Sequence, residues 1–306
     1  MKKTVLALIA ICMVASSAFA QDKIVEVVNP DQIFEKGYIQ VIGESEAGQS
    51  RYRAKRAAEV VAQKRLLEIF QGLTLSGKTT VRDGMLSSET IKTKVQGTLR
   101  GATPCGEAFD RTEGYARVCL RLNLHGNDSV YSSFQDIILK SPKELKLREM
   151  PTFAPTNIPA VLPVPTPAPA EKVDVPAMQT TPPVAAEIQT AIVVPVDGII
   201  VDVRNFDFKP ALVNRILTEK NEVLFDPSKV LNQVLIERGC GGYTTDLQKA
   251  KALLESWGSK SPLILNGKTV QNVTDAVVSS DDATAVFAYD QKYNILAQAR
   301  VVFVLK

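Results

Sequence analysis

The N-terminal part of the chain begins with a strand pattern that is followed by a helix pattern. Residues 37–43 alternate between apolar and polar side chains and are bounded by glycines, which predicts a β-strand. Over residues 49–70, small and apolar side chains recur every three or four positions, which predicts an amphipathic helix packed on a sheet. The predicted buried stripe of this helix comprises Ala54, Ala58, Val61, Ala62, Leu66 and Ile69.

Three further runs of the N-terminal part are typical of strands. Residues 74–81, 94–103 and 114–124 alternate β-branched with polar side chains. The resulting order, β-α-β-β-β, predicts an antiparallel sheet with a helix on one face. Asn127 or Asp128 is placed to cap a last helix that ends near residue 139.

The C-terminal part alternates short apolar runs with helix patterns. The runs 215–217 and 223–225 flank a polar turn and predict a hairpin. Thr245 begins a capping-box pattern that opens a helix ending near residue 257, and Ser280 is expected to cap a second helix. Further strands are predicted at 198–203, 263–265, 276–278 and 299–305, which makes this part a mixed α/β fold and the whole chain α+β.

A proline-rich stretch separates the two parts. Ten prolines lie between Pro151 and Pro183, and each fixes φ and removes a backbone donor, so an extended spacer is predicted. A polyproline ligand for a partner domain is the alternative. The predicted domains are therefore 30–148 and 196–306, joined by a linker over 149–195.

Residues 1–20 have the organisation of a secretory signal peptide. Two lysines precede an apolar run over 5–14, and Ala18-Phe19-Ala20 forms an A-x-A site, so cleavage is predicted between Ala20 and Gln21. An uncleaved anchor is disfavoured because the run is shorter than a membrane span, and lipidation at Cys12 is disfavoured because Ile11 precedes it. We therefore predict a periplasmic protein that reaches the outer membrane only through a partner.

The composition and the cysteines fit this compartment. The net charge of +3 drops further when the signal peptide leaves, so no basic field for nucleic acid is expected. Cys105 and Cys119 flank a turn-like segment and are predicted to form a disulfide, the alternative being that all mature thiols stay unpaired. Cys240 is expected to be a buried thiol, with pairing between chains as the alternative.

The sequence contains no recognisable catalytic, metal or cofactor set. Its single histidine, His125, is interpreted as a surface residue at a strand end. Residues 43–50 have the glycine spacing of a phosphate loop, but Gln49 replaces the lysine and two glutamates would repel the ligand. Asp281 and Asp282 are interpreted as charges that complement a helix dipole.

One candidate ligand site remains. Asp202 follows an apolar strand, where a carboxylate needs a partner, and Arg204 and Lys209 are the nearest cations along the chain. These three residues form the candidate site, and a structural salt bridge at the end of the strand is the alternative interpretation.

Several segments of the N-terminal part resemble a known family. Gly43 and the runs 53–58, 63–68, 79–83 and 95–102 occur in the order found in the Lpp-type envelope lipoproteins, a family that includes flagellar FlgP and the N-terminal part of FlgT. The resemblance covers residues 37–124 and implies a dodecin-like fold that forms homo-oligomers. Residues 198–212 and 300–305 resemble a companion domain.

Export, the family resemblance and the missing catalytic set lead to one main hypothesis. The chain is expected to be a non-enzymatic envelope assembly or scaffold module, with a flagellar association as its narrower form, no cofactor and no nucleic-acid partner. The rival hypothesis is a periplasmic binding or sensing protein whose C-terminal domain holds a small ligand or a cell-wall fragment. An unrecognised hydrolase would need His125 beside a carboxylate or a hydroxyl.

Overall fold

A computed structural model describes residues 24–140, 145, 147–157 and 195–306. The predicted signal peptide and most of the predicted linker lie outside these residues. The predicted fold class is confirmed, because an N-terminal β-α-β part is followed by a C-terminal α/β part. Within the described residues, none of the helices has the length and apolarity that crossing a membrane requires.

The described residues of the N-terminal part form a three-stranded antiparallel sheet, a small hairpin and five helices. The sheet has the order β1-β5-β4, and β2 pairs with β3. In chain order the elements are α1 (Pro30–Lys36), β1 (Tyr38–Glu44), α2 (Arg51–Gly72), β2 (Thr74–Ser76), β3 (Thr79–Thr80), α3 (Val81–Ser87), α4 (Glu89–Arg100), β4 (Thr103–Asp110), β5 (Tyr115–Asn123) and α5 (Val130–Lys140).

Helix α2 lies on the sheet closely enough to require a glycine beneath it. A Cβ atom added to Gly43 of β1 would lie 2.1 Å from the carbonyl oxygen of Ala58 and 2.4 Å from the amide nitrogen of Ala62. The buried residues of α2 recur every four positions, which differs from the prediction. Val61 is exposed, and the last buried residue is Phe70 instead of Ile69. The stripe comprises Ala54, Ala58, Ala62, Leu66 and Phe70.

The strand predicted at 94–103 is wrong, because most of this segment belongs to helix α4. The hydroxyl of Ser88 accepts a hydrogen bond from the amide of Ile91 (3.3 Å) and caps the helix. Ile91, Val95 and Thr98 are buried at steps of four and three, the spacing of a helix face. The β-branched residues of this segment favour a strand, but the cap and the helical spacing of the buried positions outweigh that preference.

The C-terminal part contains two four-stranded sheets. The first, β10-β6-β13-β9, is parallel throughout, and the second, β11-β12-β7-β8, includes the predicted hairpin as β7 and β8. The elements are β6 (Gly198–Asp202), β7 (Arg215–Thr218), β8 (Val223–Phe225), a 3₁₀ turn (Pro227–Lys229), α6 (Asn232–Arg238), β9 (Gly242–Thr244), α7 (Leu247–Ser256), β10 (Pro262–Asn266), β11 (Thr269–Gln271), β12 (Asp275–Val278), α8 (Ser280–Tyr293) and β13 (Val301–Val304).

Two helices of the C-terminal part begin one residue away from their predicted caps. Asp246, rather than Thr245, accepts hydrogen bonds from the amides of residues 248 and 249. Ser279, rather than Ser280, caps α8 and also donates to the carboxylate of Asp282 (2.7 Å). The structural interpretation of the aspartates at this helix start therefore agrees with the geometry.

The two parts of the chain share one hydrophobic core, whose buried residues run from Val27 to Leu305. The amides of Leu212 and Val213 each donate to the N-terminal part, to the carbonyl oxygens of Thr74 and Leu75 (3.0 Å each). Residues 151–153, predicted as the start of the linker, instead pair with β8 of the C-terminal part. The start of the proline-rich stretch, as far as the structure describes it, therefore packs on the C-terminal part.

A buried asparagine holds the segment that joins the two parts. Asn214 is fully buried, and its Oδ1 accepts hydrogen bonds from the amide of Ala211 (3.0 Å) and from the hydroxyl of Tyr243. Its Nδ2 donates to the carbonyl oxygens of Lys209 (3.3 Å) and Thr274 (2.8 Å). The side-chain amide thereby uses its full bonding capacity.

Replacement of Gly43 by alanine is expected to destabilise the fold by about 3 kcal/mol, since the new methyl group meets backbone atoms of α2 that cannot rotate away. Urea unfolding of the mature chain measures this change. Gly97→Ala in α4 is the matched control, because its Cβ atom would meet nothing within 4 Å. An equal loss of stability in both variants would contradict the close contact.

Candidate functional site

A cleft lies where the two parts of the chain meet. The N-terminal side is formed by the end of α1, with Phe34 and Lys36, and by His125 just after β5. The C-terminal side is formed by the end of α6, the start of β9 and one face of α7, with Arg238 and Trp257. The cleft has a volume of about 200 Å³ and is open to solvent. This is smaller than the roughly 300–1,000 Å³ of sites for drug-sized ligands, so the cleft suits a small or partly exposed ligand.

Two consecutive glycines let α7 approach β9 at the cleft. Gly241 has φ +118°, a conformation that L side chains rarely adopt. A Cβ atom on Gly242 would lie 2.6 Å from Cδ2 of Leu253 and 2.9 Å from Cη2 of Trp257. Because glycine has no side chain, the indole of Trp257 can lie against the backbone of β9.

Arg238 is the main charged group of the cleft. Its guanidinium carbon lies 5.6 Å from the centre of the Trp257 ring, and Nη1 donates to the carbonyl oxygen of Gln298 (3.4 Å). Burial and the neighbouring Arg300 lower the pKa of Arg238, while Glu237 opposes this. Within the described residues, no carboxylate lies within 4.0 Å of this guanidinium.

The acidic residues of the cleft have other partners. Glu237 accepts a hydrogen bond from Gln233 (2.7 Å), and Glu35 pairs with Lys249 across the two parts of the chain (3.4 Å). Both glutamates are exposed. The inner wall near Trp257 therefore carries positive charge, whereas the rim carries both signs.

His125 follows the end of β5, as the sequence predicted, and is half-buried at the cleft. Its ring stacks on Tyr131 at a centroid distance of 5.2 Å and an interplanar angle of 6°. Burial lowers the pKa of His125 from its usual 6.5 to about 4. The tyrosine hydroxyl donates to the carbonyl oxygen of Leu212 (3.1 Å), so the stack also contacts the segment that joins the two parts.

The predicted ligand-site residues of the C-terminal part form two separate ion pairs. Arg204 Nη2 lies 2.6 Å from Asp202 Oδ2, and this hydrogen bond lowers the pKa of Asp202. Lys209 pairs instead with Asp207 (3.2 Å). None of Asp202, Arg204 and Lys209 lines the cleft, and their arrangement fits the alternative interpretation of structural pairs at a strand end.

The other residues with possible chemistry have structural contacts. The amides of Gly48 and Gln49, in the phosphate-loop-like segment, donate to the carbonyl oxygens of Glu113 and Gly114 (2.9 Å each), so they are not free to bind phosphate. Cys240 is buried, which raises the pKa of its thiol. Within the described parts of the chain, no three His, Cys, Asp or Glu side chains gather as metal ligands.

Cys105 and Cys119 are joined by a disulfide between adjacent strands. Their Cα atoms lie 5.1 Å apart, in the range that a disulfide needs. Cys105 is the extra residue of a β-bulge, because Pro104 pairs with Leu120 and Gly106 pairs with Cys119. The bulge places Cys105 opposite its partner on β5.

The fold and the cleft define an α+β protein whose two parts share a core and form a small, open cleft between them. Residues 198–306 match the model of a family described as Treponema pallidum Tp0624, second domain. The match covers the C-terminal part alone and includes the C-terminal wall of the cleft. A comparison with curated proteins finds no match for the chain.

The folded protein is expected to lose stability as the pH falls from about 6.5 toward 4, because His125 binds its proton more weakly when folded than when unfolded. Its contribution is fully present above pH 6.5 and is lost on acidification. Solvent screening of the half-buried ring limits the loss to about 1–2 kcal/mol. Urea unfolding at pH 7.5 and pH 5 measures it.

His125→Phe is the control for this experiment, since it keeps an aromatic ring on Tyr131 and removes the titration. This variant should match the parent at pH 7.5 and lose less stability at pH 5. The chain has one histidine, so an NMR titration of the ring also gives its pKa directly. An equal loss in both proteins, or an NMR pKa near 6.5, would refute this assignment.

Proposed function

We propose that the protein is a non-enzymatic, exported cell-envelope protein that acts as an assembly or scaffold module. The disulfide between Cys105 and Cys119 is the observation that carries this proposal. Disulfides persist in oxidising compartments such as the periplasm, which agrees with the signal-peptide pattern of residues 1–20. The joint core of the two parts supports a rigid body rather than two modules that move independently.

The outer face of α2 is the surface that we assign to self-association. Tyr52 is 76% exposed and Val60 is 58% exposed, on the side of the helix that faces away from the alanine stripe. The edge strand β4 is less suited to pairing with a second copy. Pro104, the bulge at Cys105 and the charge of Glu107 are features that protect a sheet edge from strand addition.

The flagellar association is the narrower form of this proposal. It is supported by the resemblance of residues 37–124 to the Lpp-type family, with its dodecin-like fold and its flagellar members FlgP and FlgT. In this form, the protein is periplasmic and reaches the outer membrane through a flagellar or other envelope partner. Its partner is a protein, and it uses neither nucleic acid nor a cofactor.

A periplasmic binding or sensing role is the second candidate, and the cleft favours it. Small-molecule sites are common where two packed parts of a chain meet, and they combine aromatic surface with a few polar groups. Trp257, Phe34 and Arg238 supply both. The two candidates are compatible, because a scaffold can also carry a ligand site.

Expression of the full precursor in a bacterium is expected to give a periplasmic protein that begins at Gln21, with Cys105 and Cys119 oxidised. Intact mass spectrometry after thiol alkylation measures both features. The control is Ala20→Leu, which removes the small residue from the cleavage site and should leave the precursor uncut. A cytoplasmic, uncut and reduced parent protein would contradict the export proposal.

The mature chain, residues 21–306, is expected to form an oligomer that the double substitution Tyr52→Ser and Val60→Ser converts to monomers, because the apolar contact is lost. Size-exclusion chromatography with light scattering measures the mass. The full mature chain is required, since the two parts share one core.

Leu86→Ser is the control for the oligomer experiment, because Leu86 is 84% exposed but lies on α3. This variant should keep the oligomer. A strict monomer at high protein concentration would refute self-association. Normal flagella and swimming in a deletion strain would remove the flagellar form alone.

A further inference from the structure

The geometry points to the cleft between the two parts as a site for a small ligand with one carboxylate, which Arg238 binds beside Trp257. This inference deepens the binding role of the second candidate function and rests on it. The cleft contains residues from α1, α6, β9 and α7, and its position is fixed by the shared core. Closure of a flexible lid is not required, because the walls already face each other.

The charge of Arg238 is the first step of the argument. A partly buried guanidinium without a counter-ion costs free energy, and folded chains usually provide a carboxylate to offset it. The described residues give Arg238 a carbonyl oxygen and the face of an indole instead. Its donors therefore retain capacity for an anion, and an arginine fork matches the two oxygens of a carboxylate.

A second arginine, Arg300, lies near Arg238 but is not one of the residues that line the cleft. Arg300 is close enough to Arg238 to lower its pKa by repulsion. Nε of Arg300 is buried, and within the described residues no hydrogen bond satisfies it. Two carboxylates act on this pair. Glu237 partly offsets the charge of Arg238, and Asp197 acts on Arg300 but already accepts hydrogen bonds from Ser259, Lys260 and Ser261. An anion at Arg238 would relieve this repulsion.

The rim adds little net charge to the cleft. Lys36, Glu35 and Glu237 are exposed at its mouth, and Glu35 is paired with Lys249. The charge of the inner wall therefore comes from Arg238, whose single positive charge matches one carboxylate. The remaining surface, from Phe34, Leu253 and Trp257, suits a body that is partly apolar and uncharged.

A cell envelope offers such a carboxylate in two forms, an amino sugar that carries an acid group and the end of a short peptide. Trp257 is the single tryptophan of the chain, so its fluorescence reports on the cleft. N-acetylmuramic acid and N-acetyl-D-alanyl-D-alanine, whose amine is blocked, are the two probes. N-acetylglucosamine and the C-terminal amide of the acetylated dipeptide are their uncharged counterparts, and inorganic phosphate tests for any anion.

Titration of the mature chain is expected to give a saturable change in Trp257 fluorescence with at least one carboxylate probe, and binding of its uncharged counterpart should be about tenfold weaker or more. Response to the sugar acid alone or to the dipeptide alone identifies the source. Response to both identifies the carboxylate as the recognised group. Arg238→Gln should abolish the response, and Arg238→Lys should weaken it.

Arg204→Gln is the matched control, because this arginine is equally charged but pairs with Asp202 outside the cleft. It should bind like the parent. Three results would each overturn the inference. The first is unchanged binding in Arg238→Gln, and the second is equal binding of the uncharged counterparts or of phosphate. The third is the lack of a saturable fluorescence change in a protein that circular dichroism shows to be folded. A failed titration leaves the export and oligomer results intact, so the two proposals fail separately.

Discussion

The contact between the N-terminal and C-terminal parts is held by the buried side-chain amide of Asn214. Its four hydrogen bonds fix the segment 209–214, so that the amides of Leu212 and Val213 point toward the carbonyl oxygens of the N-terminal hairpin. Each of these groups is buried or partly buried, and a polar group left unpaired there costs about 1–3 kcal/mol. The contact between the two parts is therefore specified by directional bonds as well as by apolar packing.

The cleft follows from this contact. Once the hairpin and the segment 209–214 are joined, α1 meets β9, and Phe34 packs edge-on against Tyr243 at 5.4 Å between ring centroids. The hydroxyl of Tyr243 shares its single proton between Oδ1 of Asn214 and the carbonyl oxygen of Ala211 (3.0 Å), so one side chain belongs to both the joining segment and the cleft wall. The exposed pair of Glu35 and Lys249 adds little to the contact, as solvent screens it.

The sequence predicts those elements whose residue patterns lie within a short stretch of the chain. The strand at 37–43, the helix over 49–70, the hairpin of β7 and β8 and the pairing of Cys105 with Cys119 all depend on residues close along the chain, and the structure contains each of them. Helix α4 was missed because the β-branched residues of 94–103 hid the four-and-three spacing of Ile91, Val95 and Thr98. The intrinsic preference of β-branched residues for strands gives the wrong secondary structure where the packing of buried side chains favours a helix.

The cleft itself could not be predicted, because its walls come from segments about 200 residues apart in the chain. The proline-rich stretch predicted two separate domains joined by a linker. In the structure, main-chain hydrogen bonds at Thr74 and Leu75 join the two parts directly. The only local signal for the site was Cys240-Gly241-Gly242, whose glycines allow the approach of Trp257.

Two arginines of the C-terminal part differ in their burial and in their hydrogen-bond partners. Arg215 is almost fully buried, and the neighbouring strand provides Asp275, whose Oδ2 lies 2.8 Å from Nη2. Asn272 and the carbonyl oxygen of Arg148 complete that network at 3.0 Å each. A buried pair of this kind is stable only when its remaining donors and acceptors are satisfied. Arg238 is only partly buried, and the described residues give it a carbonyl oxygen and the face of an indole in place of a carboxylate, so its remaining donors are available on the side of the cleft.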